Sequence, residues 1–143
     1  SKNETNADVS KAQSICEELM RTYPNLKGIM GTGSADIVGA GLAIESKGMI
    51  GKIFSVGCTS PADAAQYLES GSVSMIGLWD PANAGYAMCQ LAQMVLDGTT
   101  KFESGLDLGV KGYESCTVRD GVYVVGSAMM GIFAGDDVSS LGF

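Results

Sequence analysis

The apolar positions of the chain alternate between a spacing of three and four residues and short unbroken runs. Over residues 8–23, Val9, Ala12, Ile15, Cys16, Leu19 and Met20 recur at helical spacing and form one apolar face, which Pro24 and Asn25 end. Residues 26–31 read as a short strand, followed by the turn Thr32-Gly33-Ser34. A second helix is predicted over 35–46, with Ile37, Ala40, Gly41 and Ile44 inward and Gly48 just past its end. Residues 50–57 make a second strand, broken early by Gly51. Ser60 and Pro61 then supply a cap and a first-turn proline for a third helix over 61–69, stopped by Gly71. The apolar run 73–78 is a third strand. Asp80 and Pro81 repeat the cap-and-proline device, and a fourth helix runs from about residue 83 to 96, with Ala84, Ala87, Met88, Leu91 and Val95 inward.

Strict alternation of helix and strand predicts an α/β fold: a parallel open sheet with helices on both faces. Past residue 99 the pattern changes. Residues 105–112 are irregular, and two β-rich runs, 113–118 and 122–125, are joined by Arg119-Asp120-Gly121 as a C-terminal hairpin. In the tail, residues 131–143, Asp136 and Asp137 are placed to cap one short last helix. A length of 143 residues suits a single compact α/β domain.

Composition narrows the function classes. Sixteen acids against nine bases give a net charge of −7 with no basic cluster, which disfavours nucleic acid and anionic membranes as partners. No apolar stretch approaches the roughly 20 residues needed to span a bilayer. The chain opens on a polar segment at Ser1 without an initiator methionine, which reads as a processed or excised start. The four cysteines, at 16, 58, 89 and 116, form no CxxC; Cys16 on an apolar helix face and Cys89 beside one read as small buried hydrophobes.

The chemistry available is that of binding. There is no histidine, which removes Ser-His-Asp and Cys-His catalysis, and Asp80 stands almost alone as an acid at a strand end. A dinucleotide fingerprint fails in the run 31–36, because Asp36 replaces the third glycine and the second strand ends in Cys58-Thr59 rather than an acid. No cofactor and no metal is expected. What remains is a set of strand ends: Thr32-Gly33-Ser34, then Thr59 and Ser60, then Trp79 and Asp80, with Asn83 in the helix that follows. In open α/β sheets ligands bind outside the carboxyl ends of the strands. Small hydroxyls, free amides, a carboxylate and the chain's only tryptophan suit a neutral polyhydroxylated ligand, the ring stacking on its C–H faces. Ser60 and Asp80 also have a plain structural reading as helix caps, and Trp79 as a core residue.

The run from Gly77-Leu78-Trp79-Asp80-Pro81 to Gly85-Tyr86 resembles the substrate-binding proteins of ABC transporters of the type I periplasmic class, in the subgroup for rhamnose or autoinducer-2. Val56-Gly57-Cys58-Thr59-Ser60-Pro61, Gly71-Ser72-Val73 and the Phe133 to Phe143 tail are similar to the same subgroup. The resemblance implies the carboxyl-terminal half of a two-lobe sugar binder without catalysis: 1–79 in the second lobe, 80–126 in the first, and 127–143 returning to the second. It places Trp79 and Asp80 at a hinge. It also implies an extracytoplasmic location (periplasmic, or a cell-surface lipoprotein) and an ABC permease as partner of the intact protein.

Two departures shape the expected ligand. Thr32-Gly33-Ser34 stands where the autoinducer-2 pattern has Pro-Asp-Ala, and Cys58-Thr59 stands where ribose-type relatives carry an Asp. A deoxysugar or another small polyol is therefore preferred. The alternative is the effector-sensing domain of a LacI-type transcription repressor, which shares the fold but needs a basic DNA-binding headpiece. Half of a two-lobe protein leaves sheet edges and apolar faces unpaired, so the isolated chain is expected to form a homodimer.

Overall fold

Asp8 is held in extended backbone, and its carboxylate accepts a hydrogen bond from the Lys11 N–H at 2.6 Å. That side-chain cap satisfies one of the amides a helix start leaves free. From it α1 (Val9–Thr22) runs, in a computed structural model that describes residues 1–139 and 141. The elements that follow are β1 (Gly28–Met30), α2 (Ser34–Ser46), β2 (Phe54–Gly57), α3 (Pro61–Ser70), β3 (Met75–Trp79) and α4 (Pro81–Leu96). After them come β4 (Thr117–Arg119), β5 (Tyr123–Val125) and β6 (Met129–Phe133).

The chain divides into two compact units. One comprises Ser1–Leu78 with the described residues from Gly131 onward, the other Trp79–Met130.

In the first unit the sheet order is β1-β2-β3-β6, with β1–β2 and β2–β3 parallel. Met30 pairs with Val56, and Val56 with Met75. The carboxyl ends of these strands therefore share one edge. Because side chains alternate along a strand, Ser55, Ile76 and Leu78 turn to the buried face. On that side α2 packs against β2, flanked by α1 and α3. Close approach of these helices depends on glycine: a Cβ at Gly39 would lie 2.5 Å from the Ala12 Cβ, and one at Gly41 would lie 2.9 Å from the Tyr67 ring. Ile37, Ala40, Ala43, Ile44, Ala64 and Leu68 complete the core. The opposite face of the strands is open, with Met30 75%, Phe54 61% and Phe133 55% exposed.

The parallel α/β reading of the sequence holds, but α1, α2 and α3 lie on one face of the sheet rather than on both, leaving the other face open, and three further details differ. The second strand begins at Phe54 rather than at residue 50, because Met49, Gly51 and Lys52 form a turn that Gly51 closes at φ +74°. The fourth helix begins at Pro81, directly after its cap. The tail forms a strand, β6, at the sheet's far edge, and Ile132 joins the buried face. Asp136 accepts from the Phe133 N–H at 2.8 Å and Asp137 from the Ser139 N–H at 2.9 Å, so both close turns rather than cap a helix among the described residues. Residues 140, 142 and 143, including Phe143 of the tail run, lie outside the described residues.

The second unit is built on α4 and the β4–β5 hairpin. Arg119 pairs with Tyr123, and the turn places Asp120 and Gly121 at φ +53° and +70°, the left-handed region that an Asp-Gly pair tolerates best. Ala87, Leu108 and Cys116 are its buried residues, with Leu91, Met94 and Val124 packed against them. Met88 and Val95, read from the sequence as inward, are 73% and 48% exposed, and Met94 takes the inward place. Cys89 is likewise exposed rather than a buried hydrophobe, whereas Cys16 and Cys116 are buried. All four cysteines are free thiols.

Candidate ligand-binding site

The first unit brings two of the expected loops together. The Gly31 N–H donates to the Val56 carbonyl at 2.9 Å, which carries the β1–β2 ladder one residue beyond the strand. Gly57 then passes so close that a Cβ there would sit 2.8 Å from the Gly31 carbonyl oxygen. Only glycine allows that approach, so the loop after β1 (Thr32, Gly33, Ser34) and the loop after β2 (Cys58, Thr59, Ser60) abut at the carboxyl edge.

In the first loop Thr32 and Ser34 are exposed and Gly33 is half-buried. Asp36, one turn into α2, reaches back over them. Its carboxylate accepts from the Thr32 N–H at 3.1 Å, the Gly33 N–H at 2.8 Å and the Thr5 hydroxyl at 2.5 Å. Burial pushes this carboxyl up, but the hydrogen bonds from Thr5, Gly33 and Thr32 outweigh it and hold it below the ordinary Asp value. The residue that spoils a dinucleotide fingerprint is thus the anchor of the loop. An acid at the third helical position, poised to bond back to the cap residue, was the signal that could have revealed it.

In the second loop the Ser60 Oγ accepts from the Asp63 N–H at 3.1 Å and donates to the Asp63 carboxylate at 2.8 Å. This is the structural reading of Ser60, a helix cap. Thr59 is 3% exposed, and its hydroxyl has no hydrogen-bond partner among the described residues. A buried hydroxyl left so is unfavourable by about 1–3 kcal/mol. The open groups of the two loops are therefore Thr32, Ser34 and the rim of Ser60.

The second unit carries the remaining expected residues. Trp79 ends β3 and is 46% exposed, so it is not a core residue. Asp80 Oδ1 accepts from the Ala82 and Asn83 N–H groups at 2.8 and 3.3 Å, and Oδ2 from the Asn83 side-chain amide at 3.1 Å. Asp80 caps α4, and Asn83 holds the cap's second oxygen.

A cavity of about 890 Å³ in the first unit was not anticipated from the sequence. It runs along the apolar face of α1 (Ala12, Ile15, Cys16, Leu19) and the outer edge of β1, ending near Thr32 and Asp36. Burial, with the Asp36 charge nearby, pushes the Cys16 thiol up to about 11, so this thiol stays protonated and unreactive at neutral pH. Among the described residues no group of three or more His, Cys, Asp and Glu side chains is placed to hold a metal. No helix among them is long and apolar enough to cross a membrane.

Comparison with known proteins bears on the fold and the family. The profile of the family described as "Periplasmic binding protein domain" matches residues 1–100. A sugar ABC transporter structure from Actinomyces odontolyticus superposes with a TM-score of 0.77 at 23% identity, over 91% of this chain and 42% of that one. LsrB from Clostridium saccharobutylicum, in complex with AI-2, gives 0.67 at 20% identity, over 91% and 44%. A solute-binding protein of an ABC transporter from Clostridium phytofermentas, with bound L-rhamnose, gives 0.66 at 18% identity, over 90% and 44%. The chain spans about two fifths of the length of these structures. No sequence among the curated proteins matches it.

Proposed function

The chain belongs to the periplasmic binding protein domain family, and from that premise we propose that it forms part of an extracytoplasmic solute-binding protein that captures a small neutral sugar for an ABC permease. Its part in that function is binding, without catalysis. The observation that carries the reading is the abutting pair of loops at the carboxyl edge of β1 and β2, with the Thr32 and Ser34 hydroxyls exposed on it. Trp79, exposed where β3 ends and counted with the other unit, is a separate candidate contact whose ring suits the C–H faces of a sugar.

In this reading the chain is the carboxyl-terminal portion of a two-lobe protein. Residues 1–79 belong to the second lobe, 80–126 to the first and 127–143 return to the second, with Trp79 and Asp80 at the hinge; the separate compactness of Ser1–Leu78 and Trp79–Met130 supports the division. The open strand face and the groove beside β1 support it, since apolar surface of that extent is normally covered. The ligand is a deoxyhexose or related polyol; relatives that carry L-rhamnose and AI-2 in their structures make these the first two to try.

A thermal-shift series against deoxyhexoses, pentoses, polyols and autoinducer-2 tests the proposal. At about a hundred times its dissociation constant, the right solute raises the melting temperature by roughly 5–10 °C. A shift with charged solutes and none with any neutral sugar contradicts it. The same open face leads to a second expectation, that the isolated chain self-associates as a homodimer. A monomer mass by sedimentation at high micromolar concentration contradicts that.

A further inference from the structure

We propose that two copies of this chain associate through the outer edge of β1, paired antiparallel about a two-fold axis at Ile29, so that Lys27 of each copy reaches Asp36 of the other. The inference rests on the expectation of a homodimer and locates it at this edge rather than on the open strand face. It does not depend on which solute is bound.

β1 is the first strand of its sheet and pairs on one side only. The Phe54 N–H donates to the Lys27 carbonyl and the Gly31 N–H to the Val56 carbonyl, both at 2.9 Å, with Ile29 in register with Ser55. In a parallel ladder the residues that bond to one neighbour alternate with those that face away from it. The N–H and C=O groups of Gly28 and Met30 therefore point outward, where no strand receives them. They lie along the groove of about 890 Å³ that is walled by the apolar face of α1. A bare edge of this kind is a template for another strand.

The charges of the groove favour a second copy as that strand. Lys27 stands at the amino end of β1, exposed and without an ion pair among the described residues. Asp36 stands at the carboxyl end, its Cβ only 2.8 Å from where a Gly31 side chain would begin. Lys2 and Glu4, at the same end, offset each other. The groove is thus positive at one end and negative at the other, which makes it complementary to itself turned end for end.

The backbone fits the same register. With Ile29 opposite Ile29 of the second copy, each Gly28 faces the second copy's Met30, and the outward N–H and C=O groups bond pairwise. Side chains alternate along a strand, so Lys27, Ile29 and Gly31 share the helix-packed face. Lys27 then lies directly across from the second copy's Gly31, beside its Asp36. The two Ile29 side chains meet at the axis, where each α1 presents Ile15 and Leu19. An axis perpendicular to the sheet keeps both sets of helices on one side and closes the assembly at two copies. Since Asp36 also accepts from the Thr32 and Gly33 amides, each Lys27 comes to the rim of the other copy's loop.

The test combines sedimentation with amide hydrogen exchange on the whole chain at low and at high micromolar concentration. The concentrated sample is expected to be a dimer in which the Gly28 and Met30 amides exchange at least about tenfold more slowly than in the dilute one. The Ile29 amide, which already faces β2, should change little. Met30→Pro removes only an outward N–H, a place where an edge strand accepts proline, and should weaken the dimer at least about tenfold. Lys27→Glu should weaken it at least about threefold at low salt and less at high salt, whereas Lys52→Glu, an equal charge change on an exposed turn, should not. If Met30→Pro fails to fold, the exchange on the wild type decides alone. A monomer at high micromolar concentration overturns both the homodimer and this edge. A dimer whose Gly28 and Met30 amides stay unprotected overturns the edge alone and leaves the open face of Phe54 and Phe133 as the surface. Equal effects of Lys27→Glu and Lys52→Glu overturn the antiparallel register.

Discussion

The two units are built by different means from stretches of similar composition. In the first, three helices and a sheet share a continuous core in which Ile37, Ala40, Ala43, Ile44 and Ile76 are fully enclosed. In the second, burial is confined to Ala87, Leu108 and Cys116, and α4 leaves Tyr86, Met88 and Leu96 66%, 73% and 82% exposed. The first unit buries a broad apolar core, the second a small cluster beside a close backbone approach, where a Cβ at Gly112, φ +84°, would lie 2.7 Å from that of Ala128. Binding loops suit the first kind of support, because a loop is held only as firmly as the strands and helices beneath it.

The largest expected effect sharpens that contrast. Ile76→Ala removes a fully buried side chain from the middle of the sheet and should cost about 2–5 kcal/mol. Leu108→Ala, in the smaller cluster, should cost less and leave the first unit's amides protected. Hydrogen exchange read residue by residue checks both; equal loss of protection throughout the chain in both variants would break the distinction.

Gly57→Ala comes next. The added methyl would meet the Gly31 carbonyl at 2.8 Å and the Ile37 Cβ at 3.2 Å, so the loops after β1 and β2 must part. A loss of about 1–3 kcal/mol is expected. Gly85→Ala in α4, with open space at its Cβ, should be neutral or stabilising by up to about 1 kcal/mol. Urea midpoints of the two variants test the pair.

The smallest effect is with pH. The Asp36 carboxyl is lowered in the folded chain, so its contribution is present above the unfolded Asp value and is lost as pH falls through the folded one. Stability of the wild type should therefore decline below about pH 4 more steeply than that of Asp36→Asn. Parallel acid profiles for the two chains would show that the Thr32 and Gly33 amides do not stabilise the charge.

Most of the fold was legible in the sequence because it is written in local devices. Ser60 and Asp80 cap the helices they precede, as their places predict, and Gly71, expected to stop the third helix, ends α3 at φ +77°. What escaped was non-local. The run that forms β6 is short, rich in methionine and flanked by glycine, and its place beside β3 depends on residues some fifty positions earlier. Met88 and Val95 have inward spacing, but the cluster they would join is too small to cover them. At the candidate site the sequence pointed to the loop carrying Thr32, Gly33 and Ser34. It did not reveal that Thr59 is enclosed or that Thr5 holds the Asp36 carboxylate, since the latter is a contact across thirty-one residues; the part of Asp36 that is local, its bond back to the cap, was the signal left unused.

The central claim is that the loops at the carboxyl edge receive a neutral sugar. Amide chemical shifts of the isotopically labelled chain, titrated with L-rhamnose and then with the other neutral sugars, test it most directly. The responding sugar is expected to move the amides of Thr32, Gly33, Ser34 and Ser60. Shifts confined to Ile15, Cys16 and Leu19 along the groove of α1, with the loop amides unmoved, would contradict it.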